Sequence, residues 1–213
     1  MGNSITVQTG RNEFDVAERE AHVIGDGPRI PPLKPDEISG EAMELIREIR
    51  QSFNIPEDGS IPEVSLITLR HPGIFRCQMA MGIELVANGT ISPRERELAV
   101  LRIARLCRAP FEWSEHVAIG KRFGVTAEEI ERIIEGSSAP GWSEHEAAIL
   151  RGVEELIADQ CLSDQTWDIL ARSWDEKQLL EFPMLVGSYL MTAFQQNTIR
   201  VPMNKPGAGL GDR

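Results

Sequence analysis

Apolar residues recur every three or four positions along most of the chain, and nowhere do they alternate with polar ones over a useful length, so the pattern predicts helices and no strands. A first helix is expected from Ser39 or Gly40 to Phe53, with Met43, Leu45, Ile46 and Ile49 at helical spacing, and a Pro/Gly/Ser loop follows it. A second runs from Pro72 to Ala87 and stops at Asn88-Gly89. Ser92 can cap, Pro93 suits a first helical position and Glu95 completes a capping box, so a third helix opens there and reaches about Arg108. Pro110 restarts the chain as a fourth helix ending at Gly124. Thr126 with Glu129 and Ser143 with Glu146 are further capping boxes, opening helices that close at Gly136 and Asp159. Ser163 and Asp175 open the last two, and Pro183 is expected to kink the final one before it ends near Asn197. The fold expected is all-α, a bundle of about eight helices.

Residues 1 to about 35 break this pattern. Gly25, Gly27, Pro28, Pro31, Pro32 and Pro35 interrupt them and no period is sustained, so they read as an irregular N-terminal arm, leaving 36–213 as a single all-helical domain. Within that domain, Ile83 to Ala87 leading to Ser92 resembles Glu154 to Ala158 leading to Ser163, which suggests two related helical halves.

Placed on a helical wheel, Phe111 to Phe123 puts Trp113, Val117, Ile119, Gly120 and Phe123 on one arc and Ser114, Glu115, Lys121 and Arg122 on the other. Glu112 and His116 fall inside the apolar arc, four residues apart and so within reach of each other. Burial raises a carboxyl pKa and lowers an imidazole pKa unless the two pair, which makes them a candidate acid–base couple. The competing reading is a structural pair bridging helices or subunits. On the preceding helix Cys107 projects with Val100, Ile103 and Ala104 as a core cysteine, and Glu97 lies at the boundary, at a solvent edge or a pocket rim. Arg102 and Arg105 fall on the polar side, while His22, His71 and His145 read as exposed or capping residues.

Charge narrows the partners. Lys and Arg number 22 against 33 Asp and Glu, a formal net charge of -11 that repels polyanions, so neither nucleic acid nor an anionic membrane is expected. Cys77, Cys107 and Cys161 are too widely spaced for a redox pair or a zinc cluster, which fits a reducing, cytoplasmic setting. Met1 to Thr6 carry no secretory pattern; they do fit the short N-myristoylation pattern, without a polybasic second anchor. Glu97, Glu112 and His116 lack a second histidine, so no metal and no cofactor are expected.

The run Ser92-Pro93-Arg94-Glu95-Arg96-Glu97-Leu98-Ala99-Val100-Leu101-Arg102-Ile103-Ala104-Arg105, then Phe111-Glu112-Trp113-Ser114-Glu115-His116 and Gly124-Val125-Thr126, resembles the carboxymuconolactone decarboxylase family, also called alkylhydroperoxidase D-like. The likeness spans about residues 60–200, and Arg29 to Leu33 resembles one branch. It implies an all-helical fold assembling as trimers or hexamers, with the site near a subunit boundary. The peroxidase branch carries a Glu, a Cys-x-x-Cys pair and a His; these fall on Glu97, on Ala109 and Glu112, and on His116, so both thiols are missing. What the resemblance then implies is a cofactor-independent lyase or isomerase, decarboxylase-like, acting on a small carboxylic acid or lactone. His116 would donate or accept the proton, Glu112 would orient and tune it, Glu97 would stand at the rim or behind, and Trp113 would line the pocket. The alternatives are a thiol-dependent hydroperoxide reductase using Cys107, and a non-catalytic oligomeric scaffold.

Overall fold

A computed structural model describes residues 14–57 and 59–213, and among these the chain forms ten α-helices and no strand. They are α1 (Val16–Ile24), α2 (Gly40–Ser52), α3 (Glu63–Thr68), α4 (Pro72–Gly82), α5 (Pro93–Leu106), α6 (Pro110–Arg122), α7 (Ala127–Glu135), α8 (Glu144–Asp159), α9 (Asp164–Ala171) and α10 (Glu176–Ile199). The all-α expectation holds, and the starts with local signals are where they were expected. Ser92, Thr126 and Ser143 each accept a backbone N–H three residues on, with Glu95, Glu129 and Glu146 closing the boxes. Such a cap contributes about 1 kcal/mol. Gly136 closes α7 at φ 108°, a left-handed conformation that favours glycine.

α5 is the axis of the molecule. Its residues from Arg96 to Ala104 are buried without interruption, because α6, α7, α8 and α10 pack around it. One apolar cluster joins α5, α8, α9 and α10 through Val100, Ile103, Ile149, Leu170 and Phe182; another joins α5, α6 and α7 through Leu98, Leu101, Trp113, Val117 and Ile130. A third, Leu45, Ile46, Leu69 and Phe75, holds α2, α3 and α4 together as a layer of their own. The chain's last residues join the second cluster: Leu210 is fully buried and its N–H donates to the Glu20 carboxylate of α1.

Four expectations are corrected. Within the segment expected to be irregular, Val16–Ile24 form a helix, capped by the Asp15 side chain. Nine residues give too short a period to read, and the helix is held by tertiary contacts, through buried Val23 and through Arg19 and Glu20. The N-myristoylation pattern lies outside the described residues. The Pro/Gly/Ser stretch after α2 contains the short helix α3, and the expected helix from Pro72 to Ala87 is α4 followed by a π turn over Ile83–Ala87, so the two echoed stretches differ in local structure. Arg102 is buried, not solvated: it pairs with Glu154 of α8 at 2.7 Å and donates to the Ile133 and Ile134 carbonyls at the end of α7. The helix end supplies acceptors that no wheel of α5 displays. Pro183 sits inside α10, which continues through it to Ile199.

Candidate active site

The link Cys107-Arg108-Ala109 between α5 and α6 decides where the site falls. Arg108 adopts φ 49°, a left-handed conformation costing a non-glycine residue about 1 kcal/mol. The turn is clamped from outside. Arg19 Nε donates to the Arg108 carbonyl at 3.0 Å, and Asn197 Nδ2 of α10 donates to the Cys107 carbonyl at 3.2 Å. Pro110 then starts α6 at its first position, and the reversal lays α6 along α5.

That crossing brings Glu97 of α5 and His116 of α6 together. His116 Nδ1 donates to Glu97 Oε2 at 2.7 Å, with the carboxylate side chain 1% exposed and the imidazole 13%. The second Glu97 oxygen accepts from Arg96 Nε at 3.3 Å. Arg96 is itself buried; its Nη1 donates to the Val86 carbonyl in the π turn at 3.4 Å, and its guanidinium carbon lies 5.8 Å from the Phe123 ring centroid. A π turn shifts carbonyls out of the regular ladder, which is how Val86 comes to serve a side chain. The Tyr189 ring packs edge-on against the His116 ring with centroids 5.2 Å apart. Burial, and then the neighbouring Glu97 and Glu112, push the Tyr189 phenol above its ordinary pKa, so it stays protonated.

His116, Glu97 and Arg96 form part of the wall of a cavity of about 560 Å³. It lies between the α2–α4 layer and α5, α6 and α10. Phe53, Val64, Phe75, Met79, Leu85 and Ile119 make apolar walls; Gln78 and Gln195, hydrogen-bonded to each other at 2.9 Å, with Ser188, Thr192 and Gln196, make a neutral polar one. Among the described residues, no three His, Cys, Asp or Glu side chains gather closely enough to hold a metal ion.

The candidate residues therefore divide. Glu97 and His116 meet, and Glu97 is fully buried behind the imidazole instead of standing at a rim. Glu112 does not bond His116: it is 1% exposed, neither oxygen has a hydrogen-bond partner among the described residues, and burial pushes its carboxyl well above the usual range. Four-residue spacing put the two on one face, but the Glu97 carboxylate from the neighbouring helix takes the imidazole. Trp113 does not line the cavity. It is fully buried between α5, α6 and α7, and its Nε1 donates to the Asp212 carbonyl at 3.1 Å. Cys107 packs against the core as expected, and burial, followed by Glu112, pushes its thiol up to about 12. Arg96, Tyr189 and the α10 amides went unread. One signal was available: Phe182 to Ile199 contains no charged residue yet carries the chain's single tyrosine and several amides, an unusual stretch for a surface helix.

Residues 72–155, which hold α5, α6, Glu97 and His116, match the carboxymuconolactone decarboxylase family. Solved structures extend the likeness of fold around the family segment. An uncharacterized peroxidase-related protein from Ralstonia eutropha JMP134, described as an alkylhydroperoxidase AhpD core, is 16% identical, with a TM-score of 0.70 over 84% of this chain and 93% of its own. Another from Silicibacter sp. TM1040 is 12% identical, with a TM-score of 0.66 over 83% and 90%. The debrominase Bmp8 is 15% identical, with a TM-score of 0.62 over 83% and 92%, and a variant of it was solved in complex with 2,3,4-tribromopyrrole. No curated protein matches the chain.

Proposed function

We propose that the protein is a cofactor-independent general acid–base enzyme, a decarboxylase-like lyase or an isomerase, acting on a small carboxylic acid or lactone. The observation that carries this reading is the 2.7 Å hydrogen bond from His116 Nδ1 to the buried Glu97 carboxylate, in the wall of the cavity. With Nδ1 engaged, Nε2 is the nitrogen left to take a proton from carbon or return one. Glu97 fixes the tautomer and stabilises the imidazolium as it forms, while Tyr189 holds the ring plane. Glu112, buried and outside the cavity wall, has no part in the proton path. A hydroperoxide reductase needs a thiolate with a resolving thiol, and Cys107 remains a thiol at neutral pH.

Lactones and carboxylic acids screened for proton exchange into D₂O, or for release of carbon dioxide, identify the substrate. On it, His116→Gln is expected to lower kcat by about 10²–10⁴-fold, the usual contribution of a positioned general acid or base, with the helical circular dichroism spectrum unchanged. Glu97→Gln should cost a loss of similar direction by releasing the tautomer. Undiminished turnover in His116→Gln overturns the proposal.

The same reading extends to assembly and compartment. Leu180, Met184, Gly187, Met191 and Phe194 form an exposed stripe along α10 at intervals of three and four residues, which supports a homo-oligomer, a trimer or hexamer. Met191 belongs to both the stripe and the cavity wall, so the site would border a neighbouring subunit. Three free thiols suit a cytoplasmic setting. No helix among the described residues is long and apolar enough to cross a membrane.

A further inference from the structure

We infer that the cavity takes an uncharged cyclic carbonyl compound, and that Arg96 binds its carbonyl oxygen; this rests on the acid–base reading above and narrows it to an isomerase acting on a lactone or cyclic ketone, not on a carboxylate. The ionisable side chains of the cavity wall are Arg96, Glu97, His116 and Tyr189. One guanidinium and one carboxylate cancel, and they do so within one contact, because Arg96 Nε sits 3.3 Å from Glu97 Oε1. Every other polar group in the wall is an amide or a hydroxyl. A carboxylate entering this space would lose its hydration and meet no cation that Glu97 does not already share, in a chain of net charge -11. An uncharged ring loses little and gains the apolar walls of Phe53, Val64, Phe75 and Ile119.

Arg96 supplies the polar contact such a ring needs. Its Nε is engaged by Glu97 and its Nη1 by the Val86 carbonyl. Nη2 has no partner among the described residues, and it is not one of the side-chain atoms sealed from solvent without a hydrogen bond. Nη2 therefore donates to the substrate carbonyl. When His116 Nε2 takes a proton from the carbon beside that carbonyl, the C–H electron pair becomes the new C=C bond and the carbonyl π pair moves onto oxygen. Arg96 holds the charge there, and Glu97 holds the imidazolium. Where the ring carries a C=C bond β,γ to the carbonyl the product of this step is a dienolate, and return of the same proton to its γ carbon gives the conjugated isomer, with no further reactant. Preorganised donors of this kind are worth about 10²–10³-fold in kcat.

The test uses the whole protein and three matched probes, 1-indanone, indane and 1-indanone-3-carboxylate, titrated at neutral pH by ligand-observed NMR. 1-Indanone is expected to bind at least about ten-fold more tightly than either of the others, about 1.4 kcal/mol. Arg96→Met should erase the preference of 1-indanone over indane. If Arg96→Met does not fold, the order of the three probes on the unmodified protein still decides. Tightest binding by the carboxylate, no binding by any probe, or an unchanged preference in a folded Arg96→Met protein overturns the inference. Failure of the acid–base reading looks different: His116→Gln would leave deuterium exchange beside the carbonyl of bound 1-indanone unaltered, while the binding order stood.

Discussion

Burying the Glu112 carboxyl without a hydrogen bond gives the protein a stability that falls as pH rises. In the unfolded chain this group loses its proton near the ordinary carboxyl value, whereas burial keeps it protonated in the folded state until well above that value. Below the unfolded value both states are protonated and nothing is lost; above it, each unit of pH costs about 1.4 kcal/mol until the folded-state value is passed. Glu112→Gln removes the titration, so urea midpoints measured from about pH 5 to about pH 8 should decline less steeply in the variant. Equal slopes would contradict the account. What the sequence could say about this residue was partly right for a clear reason. Spacing within one helix places Glu112 and His116 on one apolar face, but the partner that reaches the imidazole comes from α5, and how two helices cross is not written in the periodicity of either.

At the scale of the element, Arg102 ties three helices where α5 alone would suggest a solvated side chain. It is 9% exposed, with Nη1 on the Ile133 and Ile134 carbonyls and the rest of its fork on Glu154, which in turn receives the Ser137 N–H and hydroxyl. Arg102→Met should destabilise the fold by about 3–5 kcal/mol, because the half-buried Glu154 loses its cation and the end of α7 loses its donors. Pairing Arg102→Met with Glu154→Leu should recover part of that loss in a thermal melt; no recovery would assign the effect to packing alone. Helix starts were legible because Ser92, Thr126 and Ser143 act on residues three positions away. α1, α3 and the burial of Arg102 were not, because each depends on distant segments.

At the scale of the whole molecule, the exposed stripe on α10 is the feature that composition hides. Leu180 is 73% exposed and Phe194 60%, with Met184 and Met191 between them, on a helix without a charged residue from Phe182 to Ile199. Interface centres are depleted in charge in this way. Multi-angle light scattering should show an oligomer that the double variant Leu180→Glu, Phe194→Glu reduces to smaller species, with its helical content kept. A monomeric parent protein would contradict the assignment of the stripe to a subunit interface. The net charge of -11 argues against polyanionic partners but could not locate this face, because the stripe is made of neutral residues.

The chain's last turn has a use of its own. Leu210 inserts among α5, α6 and α7, the Glu20 carboxylate of α1 holds its N–H, and the Asp212 carbonyl caps the Trp113 indole. Beginning and end of the described chain thus lie side by side, so a circular permutant that joins them through a linker and opens at the exposed loop between Gln160 and Cys161 should keep the Glu97–His116 contact while moving both new termini to the far end of α8.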